Sequence, residues 1–491
     1  MKKVLLILFT FCISTGLLAG NWTNGGGNEK RNGFSDIPGP NAATIYWQGT
    51  SYGLFGTQIY IEGNKLVTMR FVGLTNAPVV CHDLYTGQLL WSAEVTYGTG
   101  RSLPIGIRDG LVYVVRYTES NNDSLIALNA ANGERVWATK PGIAISITGS
   151  AVFTNEGDLI VEGSSFKLLR INRTNGSTMW STSILPHVIG HLEPIRYNNT
   201  IYVWENIANA DNITAVDVST GARKYSKVIA DTYPGGPLQQ MAPMVGSNGT
   251  IYAYKLGDNV TALQDNGSVL NVLWTTPIAG NAAFSLMAEG PDTTIYVPSN
   301  DKVIRLGKTS GVVMDSSEAV GSASLMTARI TTASDGKVYI SSGNKFICTN
   351  AKLATIFSES ITGLNTSGPA IGPNNILAVA GSGTVLKVYK TSVTSVVNEG
   401  NVFDSYTLYQ NYPNPFNPTT NIKWSMARTG AVKMSVYNSR GYEVAVLAEK
   451  QYGEGSHSLN WNAEALPSGV YFCRLTVNKI QRDIIKMILV K

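Results

Sequence analysis

The chain has 491 residues, which corresponds to two to four domains at roughly 100–200 residues each. Charged residues make up 14% of it, against about 25% in ordinary soluble domains, and 49 residues are glycine. This composition favours short strands and tight turns over long helices or coiled coil. The net charge is 38 − 33 = +5 without a basic cluster, so we expect no nucleic-acid partner, and 44% hydrophobic residues exclude a disordered chain.

The first twenty residues have the pattern of a secretory signal peptide. Lys2 and Lys3 precede an apolar run, residues 4–18, that is too short to span a bilayer comfortably. The small residues Ala19 and Gly20 predict cleavage after one or the other. We expect no lipid anchor and no transmembrane segment after signal cleavage.

The cysteines and histidines predict neither a disulfide framework nor a metal site. Beyond the leader there are three sparse cysteines, Cys81, Cys348 and Cys473, with no CxxC and no adjacent pair. Cys473 alternates onto one face of its predicted strand, so we expect a buried apolar residue. His187 and His191 have the spacing of helical metal ligands, but the prolines and the glycine around them predict a loop.

A phrase of about 44 residues recurs along residues 40–390. Each copy has a strand, a glycine turn and then an aromatic residue, as in CHDLYTGQLLW. Asn-Gly and Asp-Gly turns between strands rich in Val, Ile, Tyr and Leu predict four-stranded antiparallel sheets. Such sheets must stack, and each aromatic residue is expected to fill a seam between neighbours. These residues are Trp47, Trp91, Trp137, Trp180, Tyr225, Trp274 and Phe357, with a degenerate copy at Met314.

The repeats predict an all-β, eight-bladed β-propeller over residues 21–390. Seven blades is the alternative, because the copy at Met314 is degenerate. Residues 369–390 supply only three strands of the last unit, and the segment at residues 43–50, around Trp47, is expected to supply the fourth. Mixing the two chain ends in this way removes the open sheet edges.

The repeat resembles that of the pyrroloquinoline-quinone (PQQ)-dependent dehydrogenases, which outer-membrane assembly scaffolds also use. The family repeat reads approximately Ala-x-Asp-x-x-x-Gly-x-x-x-Trp. Ala127, Asn129, Gly133 and Trp137 match it, with Asn in place of Asp. The resemblance implies the propeller fold. In the family's enzymes it also implies PQQ at the propeller axis, Ca²⁺ held by carboxylate and amide oxygens, and an Asp base.

The chain departs from those enzymes, since it has no Cys-Cys pair and no cytochrome segment, and no Ca²⁺ ligand set maps onto it. We therefore predict no catalytic residue, no cofactor and no metal, and a non-catalytic binding or scaffold module. The alternative is an oxidoreductase that uses PQQ and calcium. A glycan-active lyase or hydrolase is a third possibility, but no paired carboxylates are identifiable for it.

The expected partner of the propeller is an unknown protein or glycan bound at its loops. Several predicted second strands end in a polar or aromatic residue. These residues line a mouth of the ring in one interpretation and are solvated loop residues in the other: Arg70, Arg116, Trp204, Glu205 and Lys255.

Residues 391–405 are predicted to be a linker and residues 406–491 a second, small domain. Its lead-in holds three prolines, which exclude a helix or a central strand, and three asparagines that favour local turns. The prolines are Pro413, Pro415 and Pro418, and the asparagines are Asn411, Asn414 and Asn417. Six short alternating strands follow over residues 420–490 and predict an immunoglobulin-like sandwich.

This second domain resembles the type A C-terminal sorting domain of type IX secretion cargo in Bacteroidetes and their relatives. The residues that match the family pattern are Asn411, Pro413, Asn414, Pro415, Phe416, Asn417, Pro418, Tyr437, Gly441, Trp461, Gly469, Tyr471 and Lys491. The resemblance implies recognition by the type IX secretion machinery and a secreted protein, extracellular or at the cell surface. Trp461 and Tyr471 are expected in the core.

Overall fold

A computed structural model describes most of the chain beyond the predicted leader. The described residues are 20–49, 58–70, 78–94, 101–117, 124–143, 150–164, 166–184, 194–208, 210–230, 243–255, 259–279, 286–320, 329–342, 345–361, 368–380, 386–391, 407–408, 411, 413–426, 429–438, 442–453, 455–477 and 480–491. Residues 1–19 of the predicted signal peptide, residues 392–405 of the predicted linker, His187, His191 and Gly441 lie outside them.

The chain divides into two compact units, residues 1–393 and 394–491, and each is described by itself. Every regular element in the described ranges is a β-strand, and no helix occurs among them. The predicted all-β class is therefore confirmed. Turn residues and β-branched residues dominate this sequence, and both favour strands.

The strands of the first unit form four-stranded antiparallel sheets. In chain order they are β1 (Ile45–Gly49), β2 (Tyr60–Glu62), β3 (Lys65–Met69), β4 (Val79–Asp83), β5 (Leu89–Ala93), β6 (Arg101–Arg108), β7 (Leu111–Tyr117), β8 (Leu125–Asn129), β9 (Arg135–Thr139), β10 (Val152–Phe153), β11 (Leu159–Gly163), β12 (Lys167–Ile171), β13 (Thr178–Ser183), β14 (Ile195–Tyr197), β15 (Thr200–Ile207), β16 (Ala210–Asp217), β17 (Arg223–Ala230), β18 (Met244–Val245), β19 (Ile251–Lys255), β20 (Asn259–Asp265), β21 (Leu270–Pro277), β22 (Ala288–Glu289), β23 (Thr294–Ser299), β24 (Lys302–Gly307), β25 (Val313–Ser316), β26 (Arg329–Thr332), β27 (Val338–Ser342), β28 (Lys345–Thr349), β29 (Thr355–Ser360), β30 (Ala370–Gly372), β31 (Ile376–Ala380) and β32 (Leu386–Lys390).

Seven of these sheets take four consecutive strands each, from β2–β5 to β26–β29, and one has the order β1-β32-β31-β30. In that sheet Gln48 of β1 is paired with Lys387 of β32, so the first strand of the unit lies beside its last. The second and third strands of the sheets are largely buried, whereas the fourth strand alternates between exposed and buried residues, as in β5 and β9. The fourth strand is thus the solvent edge of each sheet.

The described residues of the second unit form seven strands in two sheets. They are β33 (Thr407–Leu408), β34 (Thr419–Met426), β35 (Gly430–Asn438), β36 (Glu443–Tyr452), β37 (Gly455–Asn462), β38 (Gly469–Val477) and β39 (Ile480–Leu489). The sheet orders are β33-β34-β37 and β36-β35-β38-β39, with a shared apolar core that includes Trp424, Trp461 and Tyr471. β36 runs as far as Tyr452, because its pairing with β35 extends to Gly430.

Candidate functional site

The recurrent tryptophans connect neighbouring sheets by one repeated hydrogen bond. Each lies on the fourth strand of its sheet, and its indole Nε1 donates to a backbone carbonyl at the turn between the third and fourth strands of the next sheet. The acceptors are Leu84 for Trp47 (2.8 Å), Ala130 for Trp91 (2.9 Å), Arg173 for Trp137 (2.7 Å), Val218 for Trp180 (2.9 Å) and Lys308 for Trp274 (2.9 Å). The aromatic body fills the seam and the N–H satisfies a turn carbonyl.

The glycine of the repeat faces the same indole ring. Gly133 has φ +75°, and a Cβ built on it would lie 2.8 Å from Cδ2 of Trp91. Gly87 on Trp47, Gly176 on Trp137, Gly221 on Trp180 and Gly311 on Trp274 repeat this contact. The motif therefore requires glycine twice, for the left-handed backbone and for the close approach of the ring.

The Trp–Gly contact is absent at the repeat positions where another residue replaces tryptophan. Tyr225 donates its hydroxyl hydrogen to Asp265 of the next sheet instead. Met314 is 52% exposed, and the turn of the following sheet carries Leu353 at φ +65°. Phe357 packs edge-on against Phe346 at 5.8 Å. The turn of the sheet that follows Tyr225 keeps Gly267, but a Cβ built on it meets nothing within 4 Å.

The acidic or amide residue of the repeat caps its own turn. The carboxylate of Asp83 accepts hydrogen bonds from the backbone N–H groups of Tyr85 and Thr86 at 3.0 and 2.9 Å, and its second oxygen accepts one from Asn64 at 2.9 Å. Asp217 repeats this pattern with Ser219, Thr220 and Asn199. These carboxylates are engaged in turn geometry, which gives them a structural role.

A glycine-rich segment near the start of the described chain reaches every sheet of the first unit. We call residues 20–37 the hub loop; its signal in the sequence is the run Gly25-Gly26-Gly27, which by itself predicts no contact with the sheets. Its backbone pairs with Ile61 of β2 through two 2.8 Å bonds at Trp22. Thr23 then accepts from Ile107 of β6 at 2.9 Å, and Gly25 donates to the hydroxyl of Ser150 beside β10 at 3.0 Å.

The same loop continues across the remaining first strands in chain order. Backbone carbonyls of the loop accept hydrogen bonds from Arg196 of β14 (at Glu29, 2.8 Å), Val245 of β18 (at Lys30, 2.9 Å), Glu289 of β22 (at Asn32, 2.7 Å) and Thr332 of β26 (at Gly33, 2.8 Å). Gly20 packs against Gly372 and Pro373 at the end of β30. One short loop thus contacts the first strand, or its flank, in all eight described sheets of the first unit.

Charged side chains fix the hub loop from within. Arg31 is 1% exposed and donates to the carbonyl oxygens of Ser150 (2.8 Å) and Pro194 (3.0 Å). Glu289 accepts hydrogen bonds from Asn32 at 2.8 Å and from the backbone of Ser247 at 2.8 and 2.9 Å.

Glu289 also forms an ion pair with Lys308 at 2.6 Å. Burial by itself would raise the pKa of Glu289. The hydrogen bonds from Lys308 and Ser247 outweigh it and hold that pKa below its usual value. The buried carboxylate is therefore kept ionised by its fixed donors.

Two of the predicted mouth residues are not at a solvent-exposed mouth. Trp204 and Glu205 are 2% and 1% exposed, so both interpretations made for them are wrong. The carboxylate of Glu205 accepts a 2.6 Å hydrogen bond from Thr214 and forms an ion pair with Arg223. These partners come from neighbouring strands, and β15 continues past Glu205 to Ile207, so Glu205 lies within the sheet and not at the end of its second strand.

All three described cysteines are free and buried. Burial raises the pKa of the thiols of Cys81, Cys348 and Cys473 to about 12, mainly by desolvation of the thiolate. Cys473 is therefore the buried apolar residue that its strand position predicts. Groups of three or more metal-ligating side chains do not occur among the described residues.

In the second unit the Pro/Asn lead-in is tied to the last strand. Asn414 accepts a 2.8 Å hydrogen bond from the backbone of Ile488 and donates one of 3.1 Å to the carbonyl of Lys486. Phe416 pairs with Leu489 in a short parallel bridge, with backbone bonds of 2.9 and 3.0 Å to Ile488 and Val490. Asn411 is buried and donates to the carbonyl of Pro413 and to Thr420.

The other predicted sorting residues fall into a buried and an exposed set. Phe416, Trp461 and Tyr471 are buried, and the Trp461 ring lies 5.6 Å from that of Phe416. Tyr471 donates to the carbonyl of Pro467 at 2.7 Å. Exposed or partly exposed are Pro413, Pro415, Asn417, Pro418, Tyr437, Gly469 and Lys491. Together with the partly exposed Asn414, this second set is the part of the described motif that lies at the surface.

Comparisons with protein families identify both units. Residues 75–315 match the model described as outer membrane protein assembly factor BamB, of the PQQ repeat type, and residues 410–491 match the model of a secretion system C-terminal sorting domain. The chain joins a PQQ-type β-propeller domain to a type IX sorting domain. The sorting domain marks it for export to the cell surface or the extracellular space, which confirms the predicted location. No curated protein matches the chain significantly.

Solved structures share the propeller fold at low identity. BamB from Moraxella catarrhalis aligns with a TM-score of 0.54 at 14% identity, over 69% of this chain and 98% of its own. The quinohemoprotein alcohol dehydrogenase from Comamonas testosteroni gives 0.59 at 13%, over 79% and 84%. A europium-containing methanol dehydrogenase gives 0.55 at 12%, over 74% and 90%. The described part of this propeller protein contains no helix long and apolar enough to cross a membrane.

Proposed function

We propose that the first unit is a closed, eight-bladed propeller that acts as a non-catalytic binding or scaffold module at the cell surface. Two observations support the closed ring. The hub loop contacts the first strand or its flank in each of the eight described sheets of the first unit, which supports an arrangement in which those strands converge on a common centre. The pairing of β1 with β32 joins the two ends of the unit in one sheet.

The hub loop is also the observation that carries the non-catalytic assignment. The resemblance to PQQ enzymes places the quinone at the axis, where the first strands meet. In this chain the hub loop lies among those strands, with Arg31 buried at 1% exposure. The Glu289 carboxylate, a candidate cation ligand there, is already bound by Asn32, Ser247 and Lys308. These described residues therefore do not fit a quinone with its calcium ion.

PQQ and Ca²⁺ added to the purified secreted protein test this assignment. The expected result is no quinone absorbance after gel filtration and no dye-linked oxidation of alcohols or sugars. The similarity of the fold to the quinohemoprotein alcohol dehydrogenase makes the oxidoreductase the alternative. Stoichiometric retention of PQQ together with turnover would establish it and would remove the non-catalytic proposal.

The partner is proposed to be a protein or glycan of the bacterial surface, bound at the propeller loops, because export brings the module to that surface. Surface polysaccharide and outer-membrane extract from the producing cells are the probes, immobilised separately. We expect saturable binding of the full secreted chain to one of them. Binding to neither, with the protein correctly exported and folded, would contradict a binding role.

A further inference from the structure

Gly20, the first described residue, sits in a site that only glycine fits. It is buried and has φ +83°. A Cβ built on it would lie 2.8 Å from Cγ1 of Ile37, 2.9 Å from the backbone N of Pro373 and 3.1 Å from the carbonyl carbon of Gly372. Its backbone nitrogen donates a 3.1 Å hydrogen bond to Oδ1 of Asp36. This nitrogen therefore faces a carboxylate.

The residues that follow fix the direction of the chain at this point. The side-chain oxygen of Asn21 accepts a 3.0 Å hydrogen bond from the backbone of Gly63, and Trp22 is bridged to Ile61. Gly20 itself rests on the end of β30. Gly20 therefore contacts the sheet that contains β1 and β32, and Asn21 contacts the sheet that contains β2. The β2 sheet is the first of the unit in chain order, and the β32 sheet is the last.

We propose that the signal peptide is cut between Ala19 and Gly20, and that the ammonium group formed there pairs with the carboxylate of Asp36. The inference rests on the predicted signal peptide and is independent of the propeller's partner. Cleavage after Ala19 agrees with a small residue before the scissile bond. Cleavage after Gly20, the other site that the sequence allows, would remove the residue that this site accepts.

The reaction is a hydrolysis by a signal peptidase. Water adds across the amide, the carbon–nitrogen bond breaks, and Ala19 departs with the leader as a free carboxylate. The Gly20 nitrogen takes up protons and becomes an ammonium group. A neutral N–H donor to Asp36 is thereby replaced by a charged one, and charge-assisted hydrogen bonds are the stronger kind. Asp36 is exposed, so solvent and salt screen the pair in part.

Peptide mapping and the intact mass of the exported protein test the cleavage. The expected first residue is Gly20, followed by NWTNGGG. A mature chain that begins at Asn21, at Trp22 or with part of the leader would overturn the proposal. Because the measurement uses the exported protein, it does not depend on the folding of any variant.

The ion pair has its own test, the pH dependence of acylation of the N-terminal amine. We expect the pKa of this amine to lie above its ordinary value of about 7.7–8.0 at low salt, and to return toward it in D36N. D301N, which alters an aspartate on a different sheet, is the matched control and should leave it unchanged. Unchanged amine titration in D36N would exclude the pair.

If D36N is not exported, the salt dependence of the wild-type amine decides instead. Raising the ionic strength to about 1 M shortens the Debye length to about 3 Å and should lower the pKa of the amine toward its ordinary value. A pKa of the amine that does not change with salt would overturn the ion pair.

Discussion

The indole nitrogen of Trp91 donates a 2.9 Å hydrogen bond to the carbonyl oxygen of Ala130 in the next sheet, three residues before the glycine that faces the same ring. One aromatic side chain therefore contacts both a carbonyl oxygen and the glycine of the neighbouring turn. Four further Trp–Gly pairs repeat the arrangement. This makes the seam a modular contact whose parts can be tested separately.

Gly133→Ala should destabilise the propeller more than Gly110→Ala. Both glycines lie in turns of the same sheet, with φ of +75° and +76°, so the backbone strain of a Cβ is matched. A Cβ at Gly133 would lie 2.8 Å from Trp91, whereas a Cβ at Gly110 meets nothing within 4 Å. We expect about 1–2 kcal/mol of strain in each, with a further cost of about 1–3 kcal/mol from overpacking at Gly133.

Denaturant unfolding followed by tryptophan fluorescence measures this difference. The quantity compared is the free energy of unfolding of the first unit in the two variants. Equal losses in both would show that the ring contact contributes nothing beyond the backbone conformation, and the seam interpretation would then be wrong.

Glu289→Gln should weaken the anchoring of the hub loop. The folded-state pKa of Glu289 is lowered, so its contribution to stability is present above the unfolded-state value of about 4.3 and is lost as the pH falls. Replacing the carboxylate leaves the Lys308 ammonium, whose side chain is 12% exposed, without its anion, at a cost of about 3 kcal/mol. The measurement is the unfolding free energy of wild type and variant between about pH 7 and about pH 2, because the loss occurs below the unfolded-state pKa, as the pH falls toward the lowered pKa of Glu289.

The wild type should lose stability over that pH range by more than the variant does. Glu134→Gln, at an exposed turn residue, is the control and should follow the wild type. If the wild-type and E289Q curves run parallel throughout, the ionised carboxylate is not what holds the loop.

The buried thiols should make the protein less stable in alkali. Their pKa in the folded state, about 12, exceeds the unfolded-state value of about 8.5, so stability is fully present below pH 8.5 and falls as the pH rises. Each thiol contributes a slope of about 1.4 kcal/mol per pH unit once the unfolded thiol is ionised. Cys81→Ala should reduce that slope for the first unit.

Unfolding free energies between pH 7.5 and 9.5 measure the slope, and a thiol-reactive dye gives a second readout. The three thiols should react slowly in the native protein and rapidly after denaturation. Fast reaction of any thiol in the native protein, at the rate of a model thiol, would contradict the burial described.

Asn414→Ala should impair export. Its side chain holds the lead-in to the last strand through bonds of 2.8 and 3.1 Å to Ile488 and Lys486. Losing the first leaves the partly buried backbone N–H of Ile488 without its partner, at a cost of about 1–3 kcal/mol in the sorting domain, whereas the exposed Lys486 carbonyl is solvated. We expect a several-fold lower fraction of the protein at the cell surface or in the medium, measured by immunoblotting of cell fractions.

Asn417→Ala is the matched control, because Asn417 belongs to the same motif but is exposed. If N417A impairs export and N414A does not, the secretion machinery binds the exposed surface of the lead-in directly. The structural role assigned to Asn414 would then be wrong. Intact-protein thermal unfolding of both variants separates a folding defect from a recognition defect.

The export route and the repeat could be predicted from sequence because their signals are local. Gly133 and Trp137 belong to one hairpin, and positive φ at the glycine and burial of the tryptophan follow from a fixed spacing. The sorting motif is likewise a contiguous pattern near the C-terminus. Local patterns of this kind are visible in a single sequence, because each depends only on residues that lie close together in the chain.

The burial of Trp204 and Glu205 could not be predicted in this way. Trp204 and Glu205 lie inside β15, which continues to Ile207, and Thr214 and Arg223 of the neighbouring strands contact the Glu205 carboxylate. Their burial is a property of strand length and side-chain pairing across the sheet, which the pattern of one strand does not contain.

The sequence by itself determined the all-β class, the stacking residues and the sorting tail, because turn chemistry and side-chain periodicity act over a few residues. Only the tertiary structure decided the role of the hub loop. Asn32 meets Glu289 across 257 positions of the chain, and Arg31 meets Ser150 across 119. A contact of that kind depends on where whole sheets lie, and no local propensity or period encodes it.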